Sequence, residues 1–247
     1  MNDIIKTHGL ILNKIKVREF DSFFIALTKD YGKINLFAKS VRKPKAKLGF
    51  HLEPGSISQI YFIPRRRQDN YLLTGAISIW KPNFLKFSTS KNRILHQSLA
   101  LIDKLTTENI YEPQQILTLF NLVENYLRMM TLPRLGDLRI VLYQIGLALK
   151  LLDTTGFCLN LKKCANCGKN FKKGNSIYYD LESGGLICCH NSIQFNNSLQ
   201  KTNFSSLKLA NYLLKEPPEN IEKLNIEKEI AEKTWRLVLN HLKYCLG

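Results

Sequence analysis

The chain has 247 residues, with 36 Lys and Arg against 20 Asp and Glu, which gives a formal net charge of +16 at pH 7. Hydrophobic residues make up 45% of the chain and aromatic residues 10%, and these fractions exclude a largely disordered polyelectrolyte. The length allows one large domain or two of ordinary size, and the positive charge indicates an anionic partner such as nucleic acid, a lipid surface or an acidic protein.

The pattern of apolar residues in 1–80 is typical of β-strands, and these residues carry half of the net charge. They contain 14 Lys and Arg and 6 Asp and Glu, which is +8 of the +16. Five short apolar or alternating runs are separated by turn residues, among them Gly32, which tolerates positive φ. The runs cover 10–18, 22–28, 33–40, 57–63 and 71–79. Five short strands in this length predict a small barrel.

From residue 88 onward, apolar residues recur at the spacing of an α-helix. Apolar residues spaced three and four apart form stripes over 94–105 and 116–127, the second behind Pro113, which suits a first helical turn. Further helices are predicted at 138–152, which is apolar on most sides and would be central, and at 207–214 and 226–246. The predicted fold class is α+β. The predicted domains are a barrel at 1–80, a first helical part at 81–157, a cysteine-rich insertion at 158–200 and C-terminal helices at 201–247.

The cysteines of the insertion have the spacing of a zinc ribbon. Cys164 and Cys167 form a Cys-x-x-Cys knuckle, and Cys188 and Cys189 follow after a predicted hairpin with its turn at 183–185. Two thiolates from a knuckle and two brought back by a hairpin suit a structural Zn²⁺ with four ligands. The alternative is that the knuckle thiols are simply buried and bind no metal.

The second half of this cysteine pattern is irregular. A second Cys-x-x-Cys starting at Cys188 would end at position 191, which is Asn, a poor zinc ligand. The fourth ligand is therefore open between Cys189, His190 and the outlying Cys158.

The densest run of positive charge is 39–47, in a predicted loop after the third strand. With cations on the strand faces and at 65–67, it would form a groove for phosphates, and Phe37 on the outward strand face would stack on an unpaired base. The candidate nucleic-acid-binding residues are Lys14, Lys16, Arg18, Lys33, Phe37, Lys39, Arg42, Lys43, Lys45, Lys47, Arg65, Arg66 and Arg67. The alternatives are a solvated loop and a Phe37 that packs under a neighbouring segment.

The sequence contains no motif that indicates an enzyme. A phosphate-cradling glycine loop, a Gly-x-Ser-x-Gly elbow and a His-Glu-x-x-His helix are all missing from it. No run approaches the roughly 18 apolar residues of a membrane-spanning helix, and the first residues lack an apolar signal segment. We therefore expect a cytoplasmic, non-enzymatic protein whose cysteines are thiols or metal ligands.

Three N-terminal motifs are specific: Leu-Thr-Lys-Asp-Tyr-Gly-Lys at 27–33, Ala-Lys-Ser-Val-Arg-Lys-Pro-Lys at 38–45 and Leu-Glu-Pro at 52–54. Together with the order of a basic barrel, helices and a zinc-ribbon segment, these motifs resemble the RecO family of bacterial DNA repair and recombination mediators. The cysteine segment 164–188 is similar to its zinc segment. Over residues 85–150 and 200–247, the similarity is limited to a helical pattern of apolar residues.

The resemblance implies an oligonucleotide/oligosaccharide-binding (OB) barrel, binding to single- and double-stranded DNA, and annealing of complementary strands. It further implies the partners RecR and single-strand binding protein, recombinase loading, and a place at the bacterial nucleoid. For the acidic, apolar tail of single-strand binding protein, both 101–139 and the helix around Lys233 and Arg236 stay open. The alternatives are an RNA-binding or ribosome-associated barrel protein with a structural ribbon, and a zinc-dependent nuclease.

Overall fold

A computed structural model describes residues 3–64, 71–83, 87–107, 112–188 and 198–247. The chain forms two compact units, Met1–Pro133 and Arg134–Gly247. Among the described residues, the first unit contains five strands, two α-helices and one short 3-10 turn, and the second contains helices and a small sheet next to the cysteines. The division between the units falls inside the segment 81–157.

The strands of the first unit form a closed barrel. They are β1 (Ile5–Val17), β2 (Asp21–Thr28), β3 (Gly32–Ala38), β4 (Ile57–Pro64) and β5 (Tyr71–Trp80), in the order β1-β2-β3-β5-β4. The pairings are antiparallel except for a short parallel contact between β3 and β5. The contact between β3 and β5 closes the sheet, and the five-stranded barrel confirms the predicted OB-type fold of the N-terminal part.

A β-bulge determines which way the lysines of β1 point. The register between β1 and β2 shifts after Ile11, which places Lys14 opposite Phe24 and Lys16 opposite Ser22. Directly opposite residues share one face of a sheet, and Phe24 belongs to the barrel core. Lys14 and Lys16 therefore continue the inward-facing row of β1, at the end where the strand leaves the barrel.

Two helices complete the first unit. Helix α1 (Thr89–Leu105) begins after Ser88, whose hydroxyl accepts a hydrogen bond from the backbone N–H of Lys91. Helix α2 (Pro113–Met130) begins with the predicted proline and a capping box between Glu112 and Gln115. The two predicted apolar stripes are buried, and α1 contacts β1 while α2 contacts β2.

The second unit is built around one buried helix. The helices are α3 (Asp137–Thr154), α4 (Phe204–Lys215), α5 (Pro218–Ile221) and α6 (Lys228–Leu246), and α3 contacts the other three. The sheet has the order β7-β6-β8, with β6 (Ile177–Asp180), β7 (Gly185–Ile187) and β8 (Leu199–Thr202). The central helix and the β6–β7 hairpin agree with the sequence prediction, whereas the polar strand β8 has no apolar period to reveal it. None of the described helices is both long and apolar enough to cross a membrane.

A buried hydrogen bond fixes the small sheet on α6. The hydroxyl of Tyr179, on β6, lies 3.0 Å from Nδ1 of His241, and Nε2 of His241 lies 2.7 Å from the carbonyl oxygen of Phe157. The carbonyl requires a proton on Nε2, so Nδ1 is the acceptor and the tyrosine is the donor. Burial raises the pKa of Tyr179, which keeps its hydroxyl protonated for this role.

We expect Tyr179→Phe to destabilise the second unit by about 1–3 kcal/mol, because Nδ1 of His241 loses its buried donor. Chemical denaturation followed by circular dichroism measures this change. Tyr31→Phe is the matched control, since that ring is 39% exposed in the first unit. Equal stability of Tyr179→Phe and the wild type would show that the bond does not hold the sheet.

Candidate nucleic-acid interface and metal centre

One end of the barrel gathers most of the predicted cations. Strands β1 and β3 run in the same direction and both end there, and the loop 39–47 folds back over the β1–β2 turn. The backbone N–H of Ser40 donates to Oδ1 of Asp21 at 2.8 Å, and that of Arg42 donates to the carbonyl of Phe20 at 3.0 Å. We name the exposed cations of this region the basic end: Lys16, Arg18, Lys39, Lys43, Lys45 and Lys47.

Arg42 positions this loop. Its Nη2 donates to the carbonyl oxygen of Arg18 at 2.7 Å and also to that of Glu19. The guanidinium therefore joins the loop to the β1–β2 turn through the main chain. Among the predicted cations that the structure describes, Arg42 thus has a structural contact within the loop's own anchor.

Three predicted cations are engaged in ion pairs. Arg18 makes the loosest of these pairs, 4.0 Å from Oδ2 of Asp21, and its side chain stays 79% exposed. Lys33 lies at the opposite end of β3 from the basic end, where its Nζ is 2.6 Å from the carbonyl oxygen and 3.1 Å from Oδ1 of Asp103 on α1. Its side chain is 13% exposed, so this lysine joins the barrel to the helix. Lys14 lies beside the basic end and pairs with Glu53 at 3.2 Å.

The structure corrects the expected exposure of Phe37. The ring is 5% exposed and lies 5.0 Å, centroid to centroid, from Phe23, its direct neighbour across the β2–β3 pairing. An outward strand position is therefore covered by other apolar groups, and the ring face is closed to a base. The predicted cations Arg65, Arg66 and Arg67 lie outside the described residues.

Three cysteines form a compact cluster in the second unit. The Sγ atoms of Cys164, Cys167 and Cys188 all lie within 4.8 Å of one another, and those of Cys167 and Cys188 are 3.7 Å apart. The knuckle turns at Gly168, which has φ +70° and whose N–H donates to the carbonyl of Cys164 at 2.9 Å. A tetrahedral site with Zn–S bonds of about 2.3 Å has S···S edges of about 3.8 Å, so the spacing fits a metal ion.

Backbone donors prepare Cys164 as a thiolate. Burial acts to raise the pKa of this buried thiol, but N–H groups of Cys167, Cys188 and Asn166 outweigh it and lower the pKa to about 6. The N–H groups of Cys167 and Cys188 each lie 3.4 Å from its Sγ. Burial raises the pKa of Cys188, and the neighbouring sulfurs act in the same direction. A bound cation would reverse that repulsion, since metal ligation requires deprotonated sulfurs.

The fourth position of the cluster is not supplied by Cys158. That thiol donates to the carbonyl oxygen of Leu159 at 3.8 Å and also interacts with the side chain of Asp153. It is not a member of the described cluster. The other two candidates, Cys189 and His190, lie outside the described residues.

Sequence reasoning missed a groove in the second unit. It has a volume of about 320 Å³ and lies between helix α4 and the residues on both sides of the knuckle. Its apolar lining residues are Leu161, Phe171, Phe204 and Leu207, and its polar ones are Lys162, Asn170, Lys208 and Asn211. No local pattern could reveal it, because the fold brings together segments that are distant in sequence.

Comparisons with known proteins agree with the geometry. The family described as Recombination protein O N terminal matches residues 1–79, and the family described as Recombination protein O C terminal matches residues 94–247. A DNA repair protein RecO of Alkaliphilus metalliredigens is 30% identical over 243 residues, covering 97% of this chain and 92% of the relative.

Two further relatives carry the same name. The protein of Dehalococcoides mccartyi strain CBDB1 is 28% identical, over 98% of this chain and 90% of its own length. The protein of Thermodesulfovibrio yellowstonii is also 28% identical, over 98% and 93%. With both terminal regions matched in order and a barrel, helices and cysteine cluster in place, this chain belongs to the RecO family of DNA repair proteins.

Proposed function

We propose that this protein is a recombination mediator that binds single- and double-stranded DNA and anneals complementary strands. The observation that carries the proposal is the basic end of the barrel, where exposed lysines on β1 and on the loop 39–47 share one surface. Relatives named DNA repair protein RecO support a role in DNA repair. A role on chromosomal DNA would place the protein in the bacterial cytoplasm, at the nucleoid.

Annealing by this surface needs no covalent step. Each lysine that contacts a phosphate releases condensed counterions and reduces the repulsion between two strands. Contacts to the backbone leave the base edges free to pair. The basic end therefore favours meeting of complementary strands without hydrolysis of a nucleotide.

We further propose RecR and single-strand binding protein as partners, with loading of the recombinase as the outcome. The groove in the second unit suits the acidic, apolar tail of single-strand binding protein. Phe171, Phe204 and Leu207 offer an apolar wall, and Lys162 and Lys208 offer positive charge at the same place. Apolar contact together with charge complementarity is what such a tail requires.

The cysteine cluster fits Zn²⁺ in a structural role. Cys164, Cys167 and Cys188 would hold the ion, with Cys189 or His190 as the fourth ligand. Bound zinc would cross-link the knuckle to the β6–β7 hairpin. The thiolate-favouring N–H groups around Cys164 and the S···S distance of 3.7 Å between Cys167 and Cys188 support this assignment.

We expect Lys43→Glu with Lys45→Glu to weaken binding to single-stranded DNA at least tenfold and to slow annealing on strands coated with single-strand binding protein. Two lost phosphate contacts should lower the slope of log K against log salt by about 1.4. Both lysines are exposed and Arg42 stays in place, so the loop keeps its anchor.

Fluorescence anisotropy over a salt series measures the slope. Lys215→Glu with Lys223→Glu has the same charge change on exposed positions of the second unit and serves as the control. An unchanged affinity and slope for the loop variant would refute the basic end as the DNA site. A clear preference for RNA of the same sequence would favour the RNA-binding alternative instead.

We expect Lys208→Glu to weaken binding of a peptide with the single-strand binding protein tail sequence by about tenfold, because a charge-assisted contact is lost. Isothermal titration calorimetry at low salt measures the affinity. Lys201→Glu, an exposed lysine on β8 that does not line the groove, is the control. Equal losses in the two variants would point to general electrostatics and remove the groove from the proposal.

We expect Cys167→Ser to abolish stoichiometric zinc and to lower the melting temperature of the second unit by at least about 5 °C, since structural zinc contributes directly to folding. Metal analysis and calorimetry on one sample measure both effects. Cys245→Ser removes a half-buried thiol outside the cluster and should retain the metal. Wild-type protein purified without bound zinc under reducing conditions would contradict the assignment.

A further inference from the structure

Phe50 is the most exposed large apolar side chain among the described residues, at 71%. It lies in the 3-10 turn Leu48–His51, directly after the basic loop, and its backbone N–H donates to the carbonyl of Lys47 at 3.2 Å. The only other exposed Phe, Tyr or Trp ring in the described part of the first unit is Tyr31, in the turn between β2 and β3, at the opposite end of the barrel. Phe50 thus places an open ring among the phosphate-binding candidates.

A lysine holds this ring in place. The Nζ of Lys81 lies 3.5 Å from the ring centroid of Phe50 and also donates to the carbonyl oxygen of the same residue. This is well within the range of a cation–π contact. Lys81 therefore occupies one face of the ring and fixes its backbone, and with most of the side chain exposed the remaining surface is open to a ligand.

The residue next to Phe50 attaches the turn to the barrel. His51 meets the Phe50 ring edge to face, with centroids 5.8 Å apart. Nδ1 of His51 accepts a hydrogen bond at 3.2 Å from the backbone N–H of Ser78 on β5. The turn is thus fastened to a strand, and a ligand that stacks on the ring needs little further ordering of the protein.

The charges around the ring favour an anionic partner. Lys47 directly precedes the turn, and Lys81 contacts the ring of Phe50. The nearby carboxylate of Glu53 is paired with Lys14 at 3.2 Å, which reduces its repulsion of phosphate. Because every base has an apolar π-face and every nucleotide a phosphate, this combination of open ring and cations suits unpaired nucleic acid.

We propose that Phe50, clamped by Lys81, is a stacking platform for an unpaired base of single-stranded DNA. The inference rests on the proposed DNA-binding function and adds a residue that distinguishes single strands from duplexes. Bases in a duplex are stacked on one another and offer no free face, so the platform acts on single strands alone. It takes the role that the sequence analysis assigned to Phe37.

The test uses the full-length protein and three fluorescent probes of about 16 nucleotides, near the upper limit of what one OB barrel covers. They are an oligothymidylate, an abasic strand of equal length and a duplex of equal length. Phe50→Ala should bind the oligothymidylate about tenfold more weakly, with the same salt slope, because a stacking contact is lost and no phosphate contact. Its affinity for the abasic strand and the duplex should not change.

Phe50→Trp should restore affinity, and its added indole fluorescence should be quenched by the oligothymidylate and not by the abasic strand. Ile77→Ala, at another exposed apolar position of the barrel, is the matched control and should bind all three probes as the wild type does. Phe50→Ala with unchanged affinity for oligothymidylate, or with equal losses on all three probes, would overturn the platform.

The same probes separate this inference from the proposed function. If Lys43→Glu with Lys45→Glu weakens binding to all three probes while Phe50→Ala changes none, the basic end stands and the platform falls. If the wild type binds none of them at low salt, the proposed DNA-binding function fails, and the platform with it.

Discussion

The guanidinium of Arg42 fastens the basic loop to the barrel, and the proposed DNA path depends on that contact. Lys43, Lys45 and Lys47 repel one another, which opposes a compact loop. The β1–β2 turn provides the anchor, because Arg18 adopts φ +52° there and its carbonyl accepts from Arg42 at 2.7 Å. A non-glycine residue in this conformation costs about 1 kcal/mol, which the hydrogen bonds to the guanidinium offset. The cations are thus held on one surface by the fold itself.

Main-chain groups organise the second site in a similar way. The sulfur of Cys164 accepts backbone hydrogen bonds from Cys167 and Cys188, so the knuckle and the hairpin are brought together by the same atoms that lower the pKa of this thiol. The Tyr179–His241 bond then fixes the hairpin on α6. In both units the candidate site residues stand on or beside hydrogen-bonded turns, so the fold itself sets their positions.

Cysteine spacing and turn residues predicted the β6–β7 hairpin. Hydrophobic period predicted the barrel and the central helix, because the barrel strands bury alternate residues and α3 is buried on most of its sides. It could not predict what lies over an outward face. Lys33 and Phe37 alternate with core residues as expected, yet Asp103 of α1 pairs with the first and the ring of Phe23 covers the second. Such contacts join residues distant in sequence, and the pattern within a single strand contains no record of them.

Phe50 shows the converse case. A four-residue 3-10 turn is too short to have a period, so nothing in the local sequence separates an exposed Phe50 from a buried one. The ring is 71% exposed, and the contact that holds it is the ammonium of Lys81, just after the end of β5. With the platform in this turn, residues 43–50 would contact both phosphate and base within a short span of one strand. A single strand then gains affinity from two kinds of contact and a duplex from one, which is the preference that a protein needs if it is to hold single strands and release the annealed product.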